Sequence, residues 1–306
     1  MPENIQADTP SVEVSHVSKT YGSRKVVDDV SFNIRPGETF GLIGPNGAGK
    51  TTTIRMIMDI IKPDSGTIKI LGEALSEEAK DNIGYLPEER GLYKKTTVLD
   101  ILIYLAQLKG IDPQQSLSRT EQLLDRVAML PHKDKKVEEL SKGMGQLIQF
   151  LATIIHDPEL IILDEPFAGL DPVNTELLKE IIHELKGQGK AIILSTHQMN
   201  QVEELCDRIM MIDKGKNVLY GSLTDIKSEF SSNSIFVECR GEPGELEGVT
   251  GRQQHAKYLE LFLGDGTSPN DVLKQLVRQG ILINRFEVAT PALNEIFIQV
   301  AGDKGD

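Results

Sequence analysis

The residues from Gly44 to Thr52 have the types and the spacing of a loop that binds phosphate. They contain the pattern G-x-x-x-x-G-K-[ST], which begins at Gly44 and ends at Thr51. Glycines let consecutive backbone N–H groups point at phosphate oxygens, and a helix N-terminus behind the loop adds the positive end of its dipole. Lys50 would reach the β- and γ-phosphates of a nucleotide, while the Thr51 hydroxyl would coordinate Mg²⁺. The residues expected to contact nucleotide here are Gly44, Pro45, Asn46, Gly47, Ala48, Gly49, Lys50, Thr51 and Thr52.

Two adjacent acids, Asp164 and Glu165, follow the apolar residues 160–163. Adjacent strand residues point to opposite faces of a sheet, so we expect the two carboxylates to take different roles at its edge. Asp164 suits holding Mg²⁺ through water, and Glu165 suits polarising the water that attacks the γ-phosphate. An acidic pair after a strand is more often a helix cap or part of a solvated loop, but the upstream phosphate loop favours the catalytic interpretation.

A histidine, His197, follows a second apolar stretch that ends at Leu194. A single histidine is more often structural than catalytic. Open α/β sheets, however, place their ligands at the carboxyl ends of the strands, and His197 would lie at such an end. We therefore expect His197 to hydrogen-bond the γ-phosphate and to sense its loss. Lys50, Glu165 and His197 are the predicted catalytic residues.

Strands that alternate with helices are needed to position these residues. The predicted strands cover residues 12–17, 26–34, 38–43, 160–163, 191–194 and 209–212. The predicted helices among them cover residues 51–60 and 173–185. Residues 98–156 carry apolar positions at every third or fourth residue, which indicates a mostly helical region. This order predicts an α/β fold whose sheet contains parallel strands, interrupted by an inserted helical region.

A small second domain is predicted after residue 230, where Ser and Asn cluster. Strand-like patterns cover residues 235–237, 258–263 and 281–288. Before the last of these, Ser268-Pro269 supplies a helix cap and a first helical residue, and that helix should stop at Gly280. A final short helix is expected after Thr290-Pro291. Strands and helices in this order predict an α+β domain.

Composition restricts the classes of function. The chain has 306 residues and a formal net charge of −13, which argues against a surface that binds the nucleic-acid backbone. No stretch approaches the ~18 uncharged apolar residues that a membrane span needs. Residues 1–10 are polar and acidic, are expected to be disordered, and do not have the pattern of a secretory signal. Any work at a membrane would therefore be done from its cytoplasmic side.

Further segments occur in the order and spacing of an ABC transporter ATP-binding subunit. Leu140-Ser141-Lys142-Gly143-Met144 resembles the ABC signature, usually LSGGQ, and Gly169-Leu170-Asp171 resembles the D-loop. His197 is similar to the switch histidine, and Tyr21 to the aromatic residue that stacks on adenine. The resemblance covers residues 12–230.

The resemblance implies a fold and a division into domains. It implies an α/β P-loop NTPase core of the ABC ATPase type in residues 11–230, with an inserted helical subdomain at about residues 88–158. Residues 231–306 would then form the small C-terminal α+β accessory domain.

The resemblance also implies that Ser141, Gly143 and Asp171 contact nucleotide in a head-to-tail dimer, where the signature faces the γ-phosphate held by the other subunit. The residues themselves support an anion site, because apolar positions from 147 to 155 form one helix face and place Ser141 and Gly143 at that helix's N-terminus. The alternative is that Ser141 is only a helix cap.

Two features depart from the family pattern. Lys142 and Met144 stand where the signature usually has Gly and Gln, and the charge of Lys142 either favours ATP or is solvated. Glu88 stands in the place of the Q-loop glutamine. A carboxylate can also coordinate Mg²⁺, so the predicted metal ligands are Thr51, Asp164 and Glu88.

Glu88 and the C-terminal residues 289–297 resemble a bacterial and archaeal subgroup of these proteins. Its members are ATPases of exporters whose permease is a separate polypeptide. The resemblance therefore implies an ATPase that uses ATP and Mg²⁺, pairs with a second ATPase subunit, and drives an integral membrane permease from the cytoplasmic face of the cell membrane. No nucleic-acid partner is expected.

Two alternatives stay open. One is a soluble ABC protein that acts on ribosomes or DNA, although such relatives generally carry a second ATPase domain or long coiled coils, which this chain lacks. The other is a module that binds ATP without hydrolysing it. The altered signature and Glu88 motivate that alternative, while Lys50, Asp164, Glu165 and His197 argue against it.

Overall fold

The computed structural model describes residues 9–74, 76–89, 91–231 and 233–302, so most of the segment predicted to be disordered lies outside the described residues. The chain divides into two compact units between Leu223 and Thr224. This division precedes the predicted boundary at residue 230, because a helix that the sequence analysis did not predict, Leu223–Glu229, falls almost wholly in the second unit.

The first unit contains two sheets and a helical region. Its elements, in chain order, are β1 (Val12–Tyr21), β2 (Arg24–Ile34), β3 (Thr39–Ile43), α1 (Lys50–Ile57), β4 (Ser65–Ile70), β5 (Glu73–Ala74), α2 (Glu77–Asp81), β6 (Ile83–Leu86), α3 (Val98–Leu108), α4 (Pro113–Arg126), α5 (Lys142–Ile154), β7 (Leu160–Asp164), α6 (Pro172–Gly187), β8 (Ala191–Ser195), α7 (Met199–Leu205), β9 (Arg208–Asp213) and β10 (Lys216–Ser222).

The larger sheet has the strand order β10-β9-β3-β8-β7-β6. Five of these strands run parallel, and β10 pairs antiparallel with β9 at one edge. Every residue of β3, β7 and β8 is buried, as expected for parallel strands that are covered on both faces. The predicted parallel sheet is confirmed. Because β3, β8 and β7 are neighbours, the segments that follow their carboxyl ends meet at one edge of the sheet.

The smaller sheet is antiparallel and has the order β2-β1-β4-β5. Its apolar face shares a core with the larger sheet, in which Phe32 of β2 stacks on Phe40 of β3 with ring centroids 5.2 Å apart. The sequence analysis predicted β1 and β2 but neither β4 nor β5, since β4 is mostly exposed and carries little apolar alternation.

The inserted region is mostly helical, as predicted. It consists of α3, α4 and α5 with two short 3₁₀ turns, Leu130–His132 and Val137–Glu139. Thr97 caps α3 and Asp112 caps α4 through side-chain oxygens that accept backbone N–H groups, which satisfies amides that a helix start leaves unpaired. No helix within the described ranges is long and apolar enough to cross a membrane.

The second unit is an α+β domain, as predicted. Its elements are α8 (Leu223–Glu229), β11 (Ser234–Arg240), β12 (Val249–Gln254), β13 (Leu259–Leu263), α9 (Pro269–Arg278), β14 (Leu282–Val288) and α10 (Leu293–Gly302). The antiparallel sheet has the order β12-β13-β11-β14. Ser268 caps α9 by accepting the N–H of Asn270, with Pro269 at the first helical position. Val272 and Leu276 of α9 pack in one core with the sheet.

Candidate active site

The loop between β3 and α1 has the conformation that its glycines permit. Gly44, Gly47 and Gly49 have φ angles of 145°, 76° and 116°, values that strain other residues. A Cβ atom on Gly44 would lie 2.0 Å from the carbonyl oxygen of Ile212, and one on Gly49 would lie 2.6 Å from that of Val26. Since Gly49 also starts α1 without a side-chain cap, the first amides of that helix are left to bind an anion.

The Lys50 side chain folds back and binds the backbone of this loop. Its Nζ donates to the carbonyl oxygens of Gly44 and Pro45 at 2.7 and 3.2 Å. Burial lowers the pKa of Lys50, and the nearby carboxylates of Glu165, Asp164 and Glu88 oppose that shift. The ammonium group therefore faces three carboxylates while it is held by loop carbonyls.

Asp164 ends β7 beside Ser195, the last residue of β8. Its side chain is buried, with 3 % of the residue exposed. Asp164 Oδ2 and Ser195 Oγ are buried atoms that have no hydrogen-bond partner among the described residues. Burial raises the pKa of Asp164, while the nearby Ser195 hydroxyl lowers it, the charges of Glu88 and Glu165 add to the rise, and the charge of Lys50 opposes it. A buried acceptor without a partner is costly, so the site favours the arrival of a hydrated cation.

Glu165 follows the strand and has a φ angle of 51°, a left-handed conformation that is uncommon outside glycine. Its Oε1 accepts the backbone N–H of His197 at 3.0 Å and lies 2.7 Å from His197 Nδ1. Its Oε2 accepts the Thr196 hydroxyl at 3.1 Å. The Glu165 side chain is 13 % exposed and that of His197 is 69 % exposed. The structure thus holds the carboxylate in place and leaves the imidazole accessible.

Asp164 and Glu165 were expected to take different roles at the sheet edge, and the structure brings both of them to one site. Both residues line one cavity of about 360 Å³. The left-handed φ angle of Glu165, directly after the end of β7, ends the alternation of strand residues to which Asp164 belongs.

That cavity brings together all six predicted catalytic and metal-binding residues. Its lining consists of Val26, Asn46, Gly47, Gly49, Lys50, Thr51, Thr52, Glu88, Asp164, Glu165 and His197. The predicted nucleotide contacts that are not among the described lining residues are Tyr21, Gly44, Pro45, Ala48, Ser141, Gly143 and Asp171. Tyr21 is 50 % exposed at the end of β1, and Lys19 Nζ lies over its ring, 5.8 Å from the centroid.

The signature residues instead contact the D-loop segment of the same chain. Ser141 caps α5, and its Oγ accepts the N–H of Met144 at 3.2 Å. A Cβ on Gly143 would lie 3.1 Å from the carbonyl oxygen of Gly169, so only a small residue fits there. Asp171 caps α6 by accepting the N–H of Asn174 at 3.0 Å, and this bond lowers the pKa of Asp171.

Three polar residues near the site were not predicted from the sequence. The Thr196 hydroxyl donates to Glu165. Its position directly before the predicted catalytic residue His197 was the sequence signal that could have identified it. Gln146 and Gln149 lie on the buried face of α5. Two buried glutamines within an otherwise apolar face were the signal that each must find a hydrogen-bond partner.

Comparison with known proteins bears on what this site does. Residues 27–168 match the family model described as ABC transporter. An uncharacterized ABC transporter ATP-binding protein of Bacillus subtilis, YhaQ, is 41 % identical over 292 residues, which are 94 % of this chain and 98 % of the relative. The chain belongs to the ABC transporter ATP-binding subunits. Proteins of this family hydrolyse ATP, dimerise, and work with a membrane permease.

Other matches extend over both units. Residues 221–301 match the model described as ATP-binding protein DrrA1-3-like, C-terminal domain. The Nod factor export ATP-binding protein I of Mesorhizobium japonicum is 34 % identical over 304 residues, 97 % of this chain and 88 % of the relative. A solved structure of an ATP binding subunit of an ABC transporter is 34 % identical with a TM-score of 0.68, and the match covers 72 % of this chain and 92 % of that one.

Proposed function

We propose that this ATPase subunit hydrolyses MgATP in a head-to-tail dimer and that the cycle drives export through a separate permease. One observation carries the proposal. The cavity around Lys50 contains the predicted acids and the histidine, while the signature segment of the same chain lies elsewhere. A second subunit would therefore supply the signature to this cavity, as the head-to-tail arrangement requires.

Glu165 is the general base of this mechanism. Bonds from Thr196 and from the backbone and ring of His197 fix its carboxylate. A fixed carboxylate orients a water toward the γ-phosphate without first reorganising. Because Nδ1 of His197 lies against Glu165, Nε2 is the ring nitrogen that can reach the γ-phosphate. Lys50 would leave the loop carbonyls and bind the β- and γ-phosphates.

The residues present fit a magnesium ion. Asp164 Oδ2 is a buried acceptor that lacks a partner in the described chain, and the Thr51 and Glu88 oxygens line the same cavity. Hard oxygen donors are the ligands that Mg²⁺ prefers. When bound, Mg²⁺ would neutralise charge on the phosphate oxygens. Asp164, Thr51 and Glu88 would hold it, directly or through water.

The three carboxylates around Lys50 should repel the phosphates of ATP when no Mg²⁺ is bound to them. Glu88 adds one of these charges, and the usual glutamine at its position would not. We expect ATP affinity to depend strongly on Mg²⁺ and Glu88→Gln to weaken that dependence, in titrations of a fluorescent ATP analogue with Mg²⁺ or with EDTA. Equal Mg²⁺ dependence in the two proteins would contradict the role given to Glu88.

A groove next to the Glu88 loop is the proposed contact for the permease. It has a volume of about 320 Å³, and its lining includes Pro87, Leu92, Leu105 and Leu108. Leu108 and the neighbouring edge-to-face pair Tyr93 and Tyr104 are exposed. Exposed apolar residues around a groove suit an apolar helix of a partner. Export, rather than import, follows from the likeness to the Nod factor export protein.

The testing experiment is co-purification from detergent-solubilised membranes with the tagged Glu165→Gln chain. We expect a polytopic membrane protein that stimulates ATP hydrolysis by the wild-type chain after reconstitution. Leu108→Asp changes an exposed residue of the groove and should reduce recovery of that protein while nucleotide binding persists. Recovery of ribosomes, or a membrane protein that neither responds to Leu108→Asp nor stimulates hydrolysis, would contradict the proposal.

A further inference from the structure

Helix α5, which begins at the signature, carries two buried glutamines. Gln146 is 4 % exposed and Gln149 is 5 % exposed. Residues three apart lie on one side of a helix, and the remaining buried positions of α5 are largely apolar. A glutamine in such a place needs partners for its amide, because an unpaired buried donor is costly.

The two side chains bind different loops of the active site. Gln149 Nε2 donates to the carbonyl oxygens of Pro87 and Glu89, both at 3.2 Å. Glu88 is the residue between them. Gln146 Nε2 donates to the carbonyl oxygen of Pro166 at 3.0 Å and is 3.4 Å from that of Glu165. One helix therefore holds both the loop of Glu88 and the turn of Glu165.

We infer that Gln149 is a positioning residue that fixes Glu88 for metal-dependent ATP binding by clamping the backbone on both sides of it. A role in packing alone would be met by an apolar side chain of similar length. The amide instead donates to the carbonyl oxygens of Pro87 and Glu89, which flank Glu88 on both sides. This inference rests on the proposed role of Glu88 toward Mg²⁺.

The two hydrogen bonds of Gln149 connect the position of Glu88 to the surfaces that α5 contacts. Ser141 caps the same helix at its signature end, and Gln149 also lines the groove proposed for the permease. A displacement of α5 at either surface would pull on the carbonyls of Pro87 and Glu89. The position of the Glu88 carboxylate thus depends on the contacts that α5 makes.

The first test needs neither nucleotide nor metal. Gln149→Met keeps the length of the side chain and removes its donors, and Gln146→Met is the matched control on the same helix face. We expect amide hydrogen exchange in peptides that cover residues 86–89 to rise several-fold in the Gln149 variant only. Unchanged exchange there, or an equal rise in both variants, would overturn the inference that Gln149 fixes the backbone around Glu88. Gln149→Asn, whose amide is one methylene too short, replaces Gln149→Met if circular dichroism shows that the latter is unfolded.

The second test asks whether Gln149 acts through Glu88. Outer-shell partners of metal ligands typically change metal affinity by about 10–100-fold, so Gln149→Met should raise the Mg²⁺ concentration for half-maximal ATP binding by about tenfold. The same change should have little further effect in the Glu88→Gln background. Gln146→Met should act equally in both backgrounds.

The outcomes separate the inference from the proposal on which it rests. If Glu88→Gln alters the Mg²⁺ dependence but Gln149→Met adds to it independently, Glu88 keeps its role and the positioning inference fails. If Glu88→Gln has no effect while Gln149→Met retains one, the role of Glu88 fails and Gln149 acts by another route. If neither variant changes the dependence, both are wrong.

Discussion

Replacing Asp164 with Asn should stabilise the nucleotide-free protein while it abolishes ATP hydrolysis. Asp164 is buried beside Glu88 and Glu165, and its Oδ2 lacks a hydrogen-bond partner within the described residues. The folded protein therefore keeps an unfavourable charge that Lys50 and Ser195 compensate only in part, and a bound cation would compensate the rest. Asn has nearly the same shape and carries no charge. Sites that hold such strain for function are those where a stabilising substitution destroys activity.

The size of the effect follows from the cost of an unsatisfied buried group, about 1–3 kcal/mol. For a unit of this size, each kcal/mol shifts the melting temperature by about 2–4 °C, so we expect a gain of about 2–12 °C. Burial raises the pKa of Asp164 above its ordinary value of 3.8. The folded protein then binds this proton more tightly than the unfolded chain, so the contribution of Asp164 to stability falls as pH rises through its folded pKa. The advantage of Asn should accordingly be small in acid and grow toward neutral pH.

The assay is thermal unfolding in EDTA at several pH values. The chain contains no Trp, so circular dichroism or a dye is the suitable probe. Asp171→Asn is the control, because Asp171 is an exposed helix cap whose pKa is lowered by its bond to Asn174, and Asn caps helices about as well. It should give no gain that grows with pH. A melting temperature of the Asp164 variant that is equal to or below that of the parent near neutral pH would refute the reasoning.

Three further predictions concern single residues. Lys50→Ala should lower the hydrolysis rate by about 10²-fold or more, since it removes a charge from the phosphates, and circular dichroism should show an unchanged fold. Glu165→Gln should keep ATP binding, lose turnover and accumulate a dimer in gel filtration with MgATP; normal turnover would remove the assigned base. Ser268→Ala should destabilise the second unit by about 1 kcal/mol in urea unfolding through loss of the α9 cap, without changing nucleotide affinity.

The parallel sheet and its site edge could be predicted because several signals agree there. The apolar runs that Gly44, Asp164 and Ser195 directly follow indicate buried strands. The carboxyl ends of such strands collect ligands, so the predicted catalytic residues were expected near one another. The cap at Ser268 was equally predictable, because its chemistry lies within four residues of sequence.

Elements whose stability comes from distant partners were not predicted. Strands β4 and β10 lie toward the edges of their sheets and bury at most one residue each, and β6 is an edge strand of only four residues. The conformation of Glu165 was missed for a related reason. Its left-handed φ is held by contacts with Ser195, Thr196 and His197, which are about thirty residues away in the chain, and no local pattern reports them.

The charge distribution of the cavity gives a physical reason for closure with ATP. Glu88, Asp164 and Glu165 outnumber Lys50, and MgATP adds further negative charge to this edge of the sheet. The positive end of a partner's α5 helix, followed at once by Lys142, would be attracted more strongly to the loaded cavity than to the empty one. Loss of the γ-phosphate after hydrolysis would weaken that attraction. In this account the dimer closes on ATP because nucleotide increases the electrostatic complementarity of its two halves.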